Sequence, residues 1–370
     1  MRIAIVGGIF GQPPAYRAAV RWAPETILVD GLRRRGHEVE AIPHTNRVSL
    51  SGFDIGHVHH LSWGAIAAST DRTNTPFAFT LHASHPPRRR ASAFVMARAD
   101  GVVALWRDQA DAFGRRYRLS GAEVAVIPNG IDTKVFSFTR PAPSGNGPWK
   151  LLFVGQLIPG KGVDLLLRAI VELRARHDIM LSLAYHVDIM EKQLRALSRE
   201  LRVDDIVRFL GRTPQERLGK IYRDSHIVVL PSTGGHEALP SVLTEAMLTG
   251  AFPVATDLGG VRDQVDRFGI VVPPGDAHAL AGGLDLAIQS FSAHRAHAEE
   301  MSMWASRRFS VDQMVESHER LYRTILDRCV ALPRRHRARV RVGTALGRPA
   351  LVLRHQLARS PADLNTRYAS

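Results

Sequence analysis

The chain has 370 residues, 45% of them hydrophobic, which is enough for two domains of ordinary size, each with its own core. A single cysteine, Cys329, excludes an intramolecular disulfide framework and suits a reducing compartment. The net charge of +14 is unevenly placed: residues 334–370 carry nine arginines against one acid, Asp363, a balance of +8 that leaves +6 for residues 1–333. Residues 1–11 hold one short apolar run and glycines, not a secretory signal, and no stretch reaches the roughly 18 to 20 apolar residues of a membrane span. These bounds point to a cytoplasmic protein.

In chain order, Arg2-Ile3-Ala4-Ile5-Val6 reads as a first strand, buried on both faces by its continuous apolar character. Gly7-Gly8-Ile9-Phe10-Gly11 follows at the place where α/β folds bind phosphate, although a simple tight turn fits equally well. It is not G-x-G-x-x-G, so an NAD-dependent oxidoreductase lacks its fingerprint. A helix over 25–35 ends at Gly36, and a second strand starts with His37-Glu38-Val39. Asp54-Ile55-Gly56-His57-Val58-His59-His60 is a strand with alternating histidines; H-x-H could hold zinc, but no convincing set of further ligands accompanies it. The strand Phe77-Ala78-Phe79-Thr80-Leu81 delivers His82 to the carboxyl edge of the sheet, where a packed or capping histidine fits equally well. Pro86-Pro87-Arg88-Arg89-Arg90 adds a basic loop near the same edge. After Ile127-Pro128-Asn129-Gly130-Ile131-Asp132, where Asn-Gly makes a tight turn, residues 139–148 have linker composition and mark a domain boundary.

The second half opens with Leu151-Leu152-Phe153-Val154, then Gly155-Gln156-Leu157-Ile158-Pro159-Gly160-Lys161-Gly162 and a helix over Val163–Arg174. G-x4-G-K is nearly a Walker A loop, but Gly162 stands where Ser or Thr would hold Mg²⁺, which argues against an NTPase. Further on, the apolar run Ile227–Leu230 stops at Pro231-Ser232 and reads as a buried strand entering a loop. The next helix is expected to start near Pro240 and to end at Gly250. Leu239, Val242, Leu243, Ala246 and Met247 would form its packing stripe, with Glu245 well off it and Glu237 in the loop ahead. Eight helical residues would set the two carboxylates about 12 Å apart, roughly the reach of a nucleotide joined to a sugar. By spacing alone, a loop charge and a solvated helix charge explain them as well. A strand Phe252-Pro253-Val254-Ala255-Thr256, the pair Gly259-Gly260 and a last helix over 311–326 complete the pattern.

The run from Gly234 to Gly250, continued by the strand and glycine pair at 252–260 and by Val271-Val272-Pro273-Pro274-Gly275-Asp276, resembles the E-x7-E donor-binding region of the retaining family 4 glycosyltransferases. The R-G-H-E-V junction at 35–39, the T-L-H at His82 and the I-P-N-G-I-D at 127–132 resemble the same family, and the likeness covers residues 1 to about 328. It implies an α/β GT-B fold: two facing Rossmann-like, doubly wound domains with an inter-domain cleft. The boundaries expected are an acceptor-side domain over 1–138, a linker at 139–148 and a nucleotide-sugar domain over 149–310. A terminal helix over 311–328 would pack back towards the first domain, and a basic tail would fill 329–370. The implied reaction moves a hexose, with retention, from a UDP- or GDP-type sugar to a glycan, a lipid-linked or a small-molecule acceptor. Glu237 would bind sugar hydroxyls, the backbone of Ala238, Leu239 and Pro240 the diphosphate, and Glu245 the ribose. Lys161 would offset charge on the leaving diphosphate beside Gln156, and His82 would orient the sugar. No cofactor and no metal is implied.

Three departures stand out. Gln156 occupies a position usually held by arginine; it can donate hydrogen bonds but carries no charge. Trp22-Ala23-Pro24-Glu25 replaces the common G-G-x-E, and Tyr185-His186-Val187 stands where G-x-G often approaches the nucleotide. A non-catalytic nucleotide-sugar or glycan-binding protein of the same fold is the alternative, supported by Gln156 and the missing G-x-G.

The tail lacks the aromatic interleaving of single-strand nucleic-acid binders, since Tyr368 is its only aromatic, and no nucleic-acid partner is expected. Its arginines alternate with Val340, Val342, Leu346, Leu351, Val352, Leu353 and Leu357, a pattern suited to an anionic membrane surface, although a tail that is simply solvated is the plainer reading of its composition. Each basic residue near such a surface contributes about 1 kcal/mol. Anionic liposomes should therefore sediment the full chain at low salt and leave a 1–333 truncation in the supernatant. Equal, salt-independent partitioning of both would remove the membrane role.

Overall fold

The structure, a computed structural model, describes residues 1–19, 22–44, 48–71, 73–82, 90–119, 124–139, 147–234 and 237–331. The arginine-rich tail, Pro86 to Arg89 and residues 140–146 of the linker lie outside these. Two compact units divide the chain: residues 1–130 with the chain from Val311 onward, and residues 131–310.

Unit 1 runs β1 (Arg2–Gly7), α1 (Pro14–Ala19), α2 (Pro24–Arg34), β2 (Glu38–Pro43), β3 (Ile55–His59), α3 (Trp63–Thr70) and β4 (Phe77–Thr80). It continues with α4 (Arg90–Met96), β5 (Gly101–Ala104), α5 (Arg107–Tyr117) and β6 (Val124–Val126). All six strands are parallel, in the order β2-β1-β3-β4-β5-β6. Continuous apolar strands bury both faces, and successive side chains go to opposite sides. Ala4, Val6, Val58, Phe77 and Phe79 thus join Ala65, Val95 and Phe113 of the helices on one side. Ile3, Ile5, Ile55, Ala78 and Val103 face α2 and a helix from the far end of the chain on the other.

That helix is α13 (Val311–Ala331), five residues longer than the sequence pattern suggests. It supplies Met314, Val315, Tyr322 and Ile325 to the second core. Close approach is built in at Gly31, where a Cβ would lie 2.3 Å from Val315 Cγ2. Glu319 ties the same helix to the α2–β2 turn through Arg35 at 2.8 Å and His37 at 2.6 Å.

Unit 2 runs β7 (Trp149–Gly155), α6 (Val163–Arg174), β8 (Ile179–Tyr185), α7 (Glu191–Glu200), β9 (Val207–Gly211) and α8 (Gln215–Asp224). Then come β10 (Ile227–Leu230), α9 (Ser241–Thr249), β11 (Phe252–Thr256), α10 (Val261–Val265), β12 (Ile270–Val272), α11 (Ala277–Gln289) and α12 (Phe291–Phe309). Its parallel order is β12-β11-β10-β7-β8-β9. On one face α6 buries Leu166, Leu167, Ile170 and Leu173 beside Leu280 and Leu284 of α11. Each of these large aliphatics contributes roughly 1.5–3 kcal/mol by leaving water. The opposite face packs Leu230 and Ala255 against Leu243 of α9 and Val261 and Val265 of α10. Both units are therefore doubly wound α/β layers, as the alternation of strand and helix predicts.

One element differs in an informative way. Pro240 caps α9 rather than opening it, and Gly250 closes it in the left-handed region at φ 89°. The expected stripe of Leu243, Ala246 and Met247 is buried, but so are Thr244, Glu245, Leu248 and Thr249. The reason is that α8, α10 and α12 all pack on this helix in addition to its sheet. Glu245, although off the stripe, is not a solvated charge.

Candidate functional site

In an open parallel sheet, ligands gather beyond the carboxyl ends of the strands where the winding direction reverses. In unit 2 that point lies between β7 and β10, so the loops at 156–162 and 231–240 frame it. Lys161 and Glu237 meet there: Lys161 Nζ donates to Glu237 Oε1 at 2.5 Å. Ser232 Oγ donates to the same oxygen at 2.6 Å. The Glu237 side chain is 7% exposed and that of Lys161 22%. An ammonium has three donors, so Lys161 keeps capacity for an anion while Glu237 can accept from hydroxyls. A cation and an acceptor held side by side suit a molecule whose anionic group neighbours a polyol.

The backbone is shaped for this contact. Gly160 O accepts from Thr233 N at 2.8 Å and Gly234 N at 3.2 Å, joining the two loops. Gly162 opens α6 at φ +66°, and a Cβ there would lie 1.9 Å from Pro231 O; only glycine fits. Gly259, at φ +57°, similarly passes within 2.1 Å of Glu237 O measured from a would-be Cβ. Ala238 O accepts from Gly260 N at 2.8 Å, and Pro240 O from Gln264 Nε2 at 2.8 Å. Residues 237–240 are thereby fixed ahead of α9, whose first turn carries no acid and presents the positive end of the helix dipole. Ala238, Leu239 and Pro240 stand beside Glu237 on this edge, and Gln156 half-buried just past β7. Gly235 and His236 lie outside the described residues.

Glu245 is 8% exposed and accepts a hydrogen bond from Tyr222 Oη at 2.7 Å. Burial pushes its carboxyl up to about 7, against the pull of the Tyr222 and Ser241 hydroxyls. Neither Tyr222, Ser232 nor Gln264 was singled out by sequence. Ser232 had a usable signal, the end of an apolar strand beside a proline; Tyr222 and Gln264 had none.

In unit 1 the reversal lies between β1 and β3, and its carboxyl edge gathers histidines. His57 is wholly buried, with Nδ1 2.6 Å from Tyr322 Oη and Nε2 2.7 Å from Thr80 Oγ1. His59 Nδ1 lies 3.1 Å from His82 Nε2, and the His57 and His59 rings stack at 4.4 Å. His60 pairs with Glu25 at 3.0 Å. Among the described residues no group of three or more His, Cys, Asp or Glu side chains could hold a metal ion. Burial drives His57 and His59 well below the usual imidazole range, His82 to about 3 and His318 to about 4. Burial would raise the Glu25 carboxyl, but the hydrogen bond and charge of His60 outweigh it and hold the group at about 2. A small cavity with room for about one water is lined by His59, Thr80, His82, Asn129 and His318. His59 Nε2 is buried there with no partner among the described residues.

Two parallel six-stranded, doubly wound units, one with a polar site at its switch point, have the architecture of the GT-B class. Residues 43–135 match the family Glycosyltransferase Family 4, and residues 137–302 match Glycosyl transferases group 1. The chain is a glycosyltransferase of the GT-B type. It is 27% identical over 326 residues to the D-inositol 3-phosphate glycosyltransferase of Acidothermus cellulolyticus, covering 78% of this chain and 71% of that one. To the phosphatidyl-myo-inositol mannosyltransferase of Mycobacterium leprae it is 28% identical over 290 residues, 74% of each chain. Its fold is similar to that of Anabaena HepE, solved in complex with UDP-glucose, with a TM-score of 0.66 at 20% identity, over 90% of this chain and 100% of that one.

Proposed function

We propose that this protein transfers a hexose from a nucleotide-diphosphate sugar to an acceptor hydroxyl, with retention of configuration and without a metal ion. The observation that carries the reading is the Lys161–Glu237–Ser232 contact at the switch point of unit 2, to which Lys161 comes from 76 residues before Glu237. Lys161 offsets charge on the departing diphosphate, a role that electrostatic stabilisation rewards most in a water-poor site. Glu237 accepts from the sugar hydroxyls, the backbone of Ala238, Leu239 and Pro240 borders the diphosphate, and Glu245 accepts from the ribose. Gln156 donates hydrogen bonds to the diphosphate. His82, kept neutral by burial, offers a hydroxyl one donor or one acceptor and takes the sugar contact that the family resemblance gives it. The C1–O bond to the diphosphate breaks and the C1–O bond to the acceptor forms on the same face. The leaving diphosphate oxygen takes the acceptor proton, so no separate protein base is required.

The UDP-glucose complex of the Anabaena protein supports a UDP-type donor, with GDP-type donors as the other choice. An inositol phosphate and phosphatidyl-inositol, from the names of the two relatives, are the first acceptors to try. A thermal-shift screen with UDP, GDP, ADP and TDP sugars tests the donor: ligand at 100 times its Kd adds about 2.7 kcal/mol of stability. No shift with any of them overturns the donor assignment, and donor turnover that EDTA abolishes overturns the metal independence. In addition, Gln156→Arg should fold normally and bind donor about as tightly or tighter, because it adds a positive charge beside the diphosphate. Calorimetry of the two proteins with the same donor checks this; a folded variant that no longer binds would show Gln156 to be a specific requirement.

A further inference from the structure

Tyr222 has no place in the chemistry above, yet its environment is closely specified. It is fully buried in α8, and its ring meets Phe136, also fully buried, edge-on at 5.5 Å and 88°. One turn earlier, a Cβ on Gly219 would lie 2.5 Å from Val135 O, so α8 is pressed onto the segment carrying Phe136. Arg223 Nη1 adds a hydrogen bond to Val135 O at 3.3 Å. The ring therefore has one position, and its hydroxyl ends 2.7 Å from Glu245 Oε2. We infer that Tyr222 is a positioning residue for nucleotide binding, holding the Glu245 carboxylate ionised and oriented for the ribose hydroxyls.

This rests on the donor reading of unit 2 and deepens it. A carboxylate has about four acceptor directions, and one hydroxyl on Oε2 leaves the rest for a diol. A rotamer fixed before binding also spares the ordering cost of a free glutamate. The groups acting on the charge of Glu245 are Tyr222 from α8 and Ser241 from α9; no ionised side chain contributes from the other packed elements among the described residues. Both hydroxyls stabilise the anion against burial, so deleting one favours the neutral acid, which cannot accept as strongly.

The test compares Tyr222→Phe, Phe136→Leu and Glu245→Gln with the wild type, using UDP-glucose and GDP-mannose as probes between pH 6 and 9. Wild-type affinity should fall as pH drops through about 7, and Glu245→Gln should bind weakly with a flat profile. Tyr222→Phe should move the midpoint up by about one pH unit, a loss of roughly fivefold at pH 7 that is recovered near pH 9. Phe136→Leu, which frees the ring but keeps the hydroxyl, should shift it the same way by less. An unchanged midpoint in both variants overturns the inference. A ligand-free measurement separates this from the donor reading. The thermal deficit of Tyr222→Phe should widen between pH 7 and 8, because the raised carboxyl then ionises unpaired. A pH-independent deficit would mean that the hydroxyl is merely structural, whatever nucleotide the site takes.

Discussion

Replacing Lys161 by alanine should lower kcat by about 100-fold or more while the protein stays folded. Lys161 is placed by the shape of its loop: Gly160 and Gly162 turn the chain through left-handed conformations on either side of it. Its ammonium is the cation that β7 and β10 bring to the Glu237 carboxylate. Charge develops on the diphosphate only as the sugar leaves, so kcat should fall much more than donor KM rises. Glu237 would keep its bond from Ser232 Oγ, and losing one charged partner in a partly buried site costs about 1–3 kcal/mol of stability. Circular dichroism with steady-state kinetics separates the two effects. Wild-type turnover in a folded variant would remove Lys161 from the mechanism.

Acid should unfold unit 1 over a broad range beginning near pH 6.5. His44, His57, His59, His82 and His318 are each driven down by burial, to about 4 for His44 and His318 and about 3 for His82. Unfolded, each would titrate near 6.5. The stability held in their neutral forms is therefore intact above 6.5 and drains as pH falls towards 3 to 4. Glu25, held at about 2, adds stability that is lost below about 4.5. All five histidines act in the same direction, and an ordinary domain has only about 5–15 kcal/mol of stability to lose. In unit 2, Glu245 works in the opposite sense, because its raised carboxyl gains stability as pH falls through about 7. Hydrogen exchange at pH 7 and 4.5 should show β3 and β4 losing protection before β7 and β10. Simultaneous loss would mean that the histidine cluster does not set acid stability.

Most of the fold could be read from periodicity and breakers. Continuous apolar runs marked the buried strands, and α6 spans the residues its pattern indicates, because Gly162 and a regular Leu/Ile spacing act locally. Lys161 and Glu237 were legible as separate candidates; their contact was not, since it depends on the parallel pairing of β7 with β10. The burial of Glu245 escaped detection for a related reason: three helices cover α9, and a single helix's stripe does not report what packs on its other sides. The histidines of β3 were visible, but their partners Thr80 and Tyr322 come from another strand and from a helix 265 residues away. In both units the hidden links are side-chain contacts between distant segments.

The return of α13 to unit 1 has a consequence during synthesis. Residues 131–310 form a continuous stretch and can fold once they have left the ribosome, whereas unit 1 must wait for residues beyond Val311. Until Tyr322 and Ile325 arrive, the side of the first sheet bearing Ile3, Ile5 and Ile55 lacks part of its cover, and His57 lacks the hydroxyl that meets its Nδ1. The nascent amino-terminal half is thus the part that a chaperone would have to hold longest.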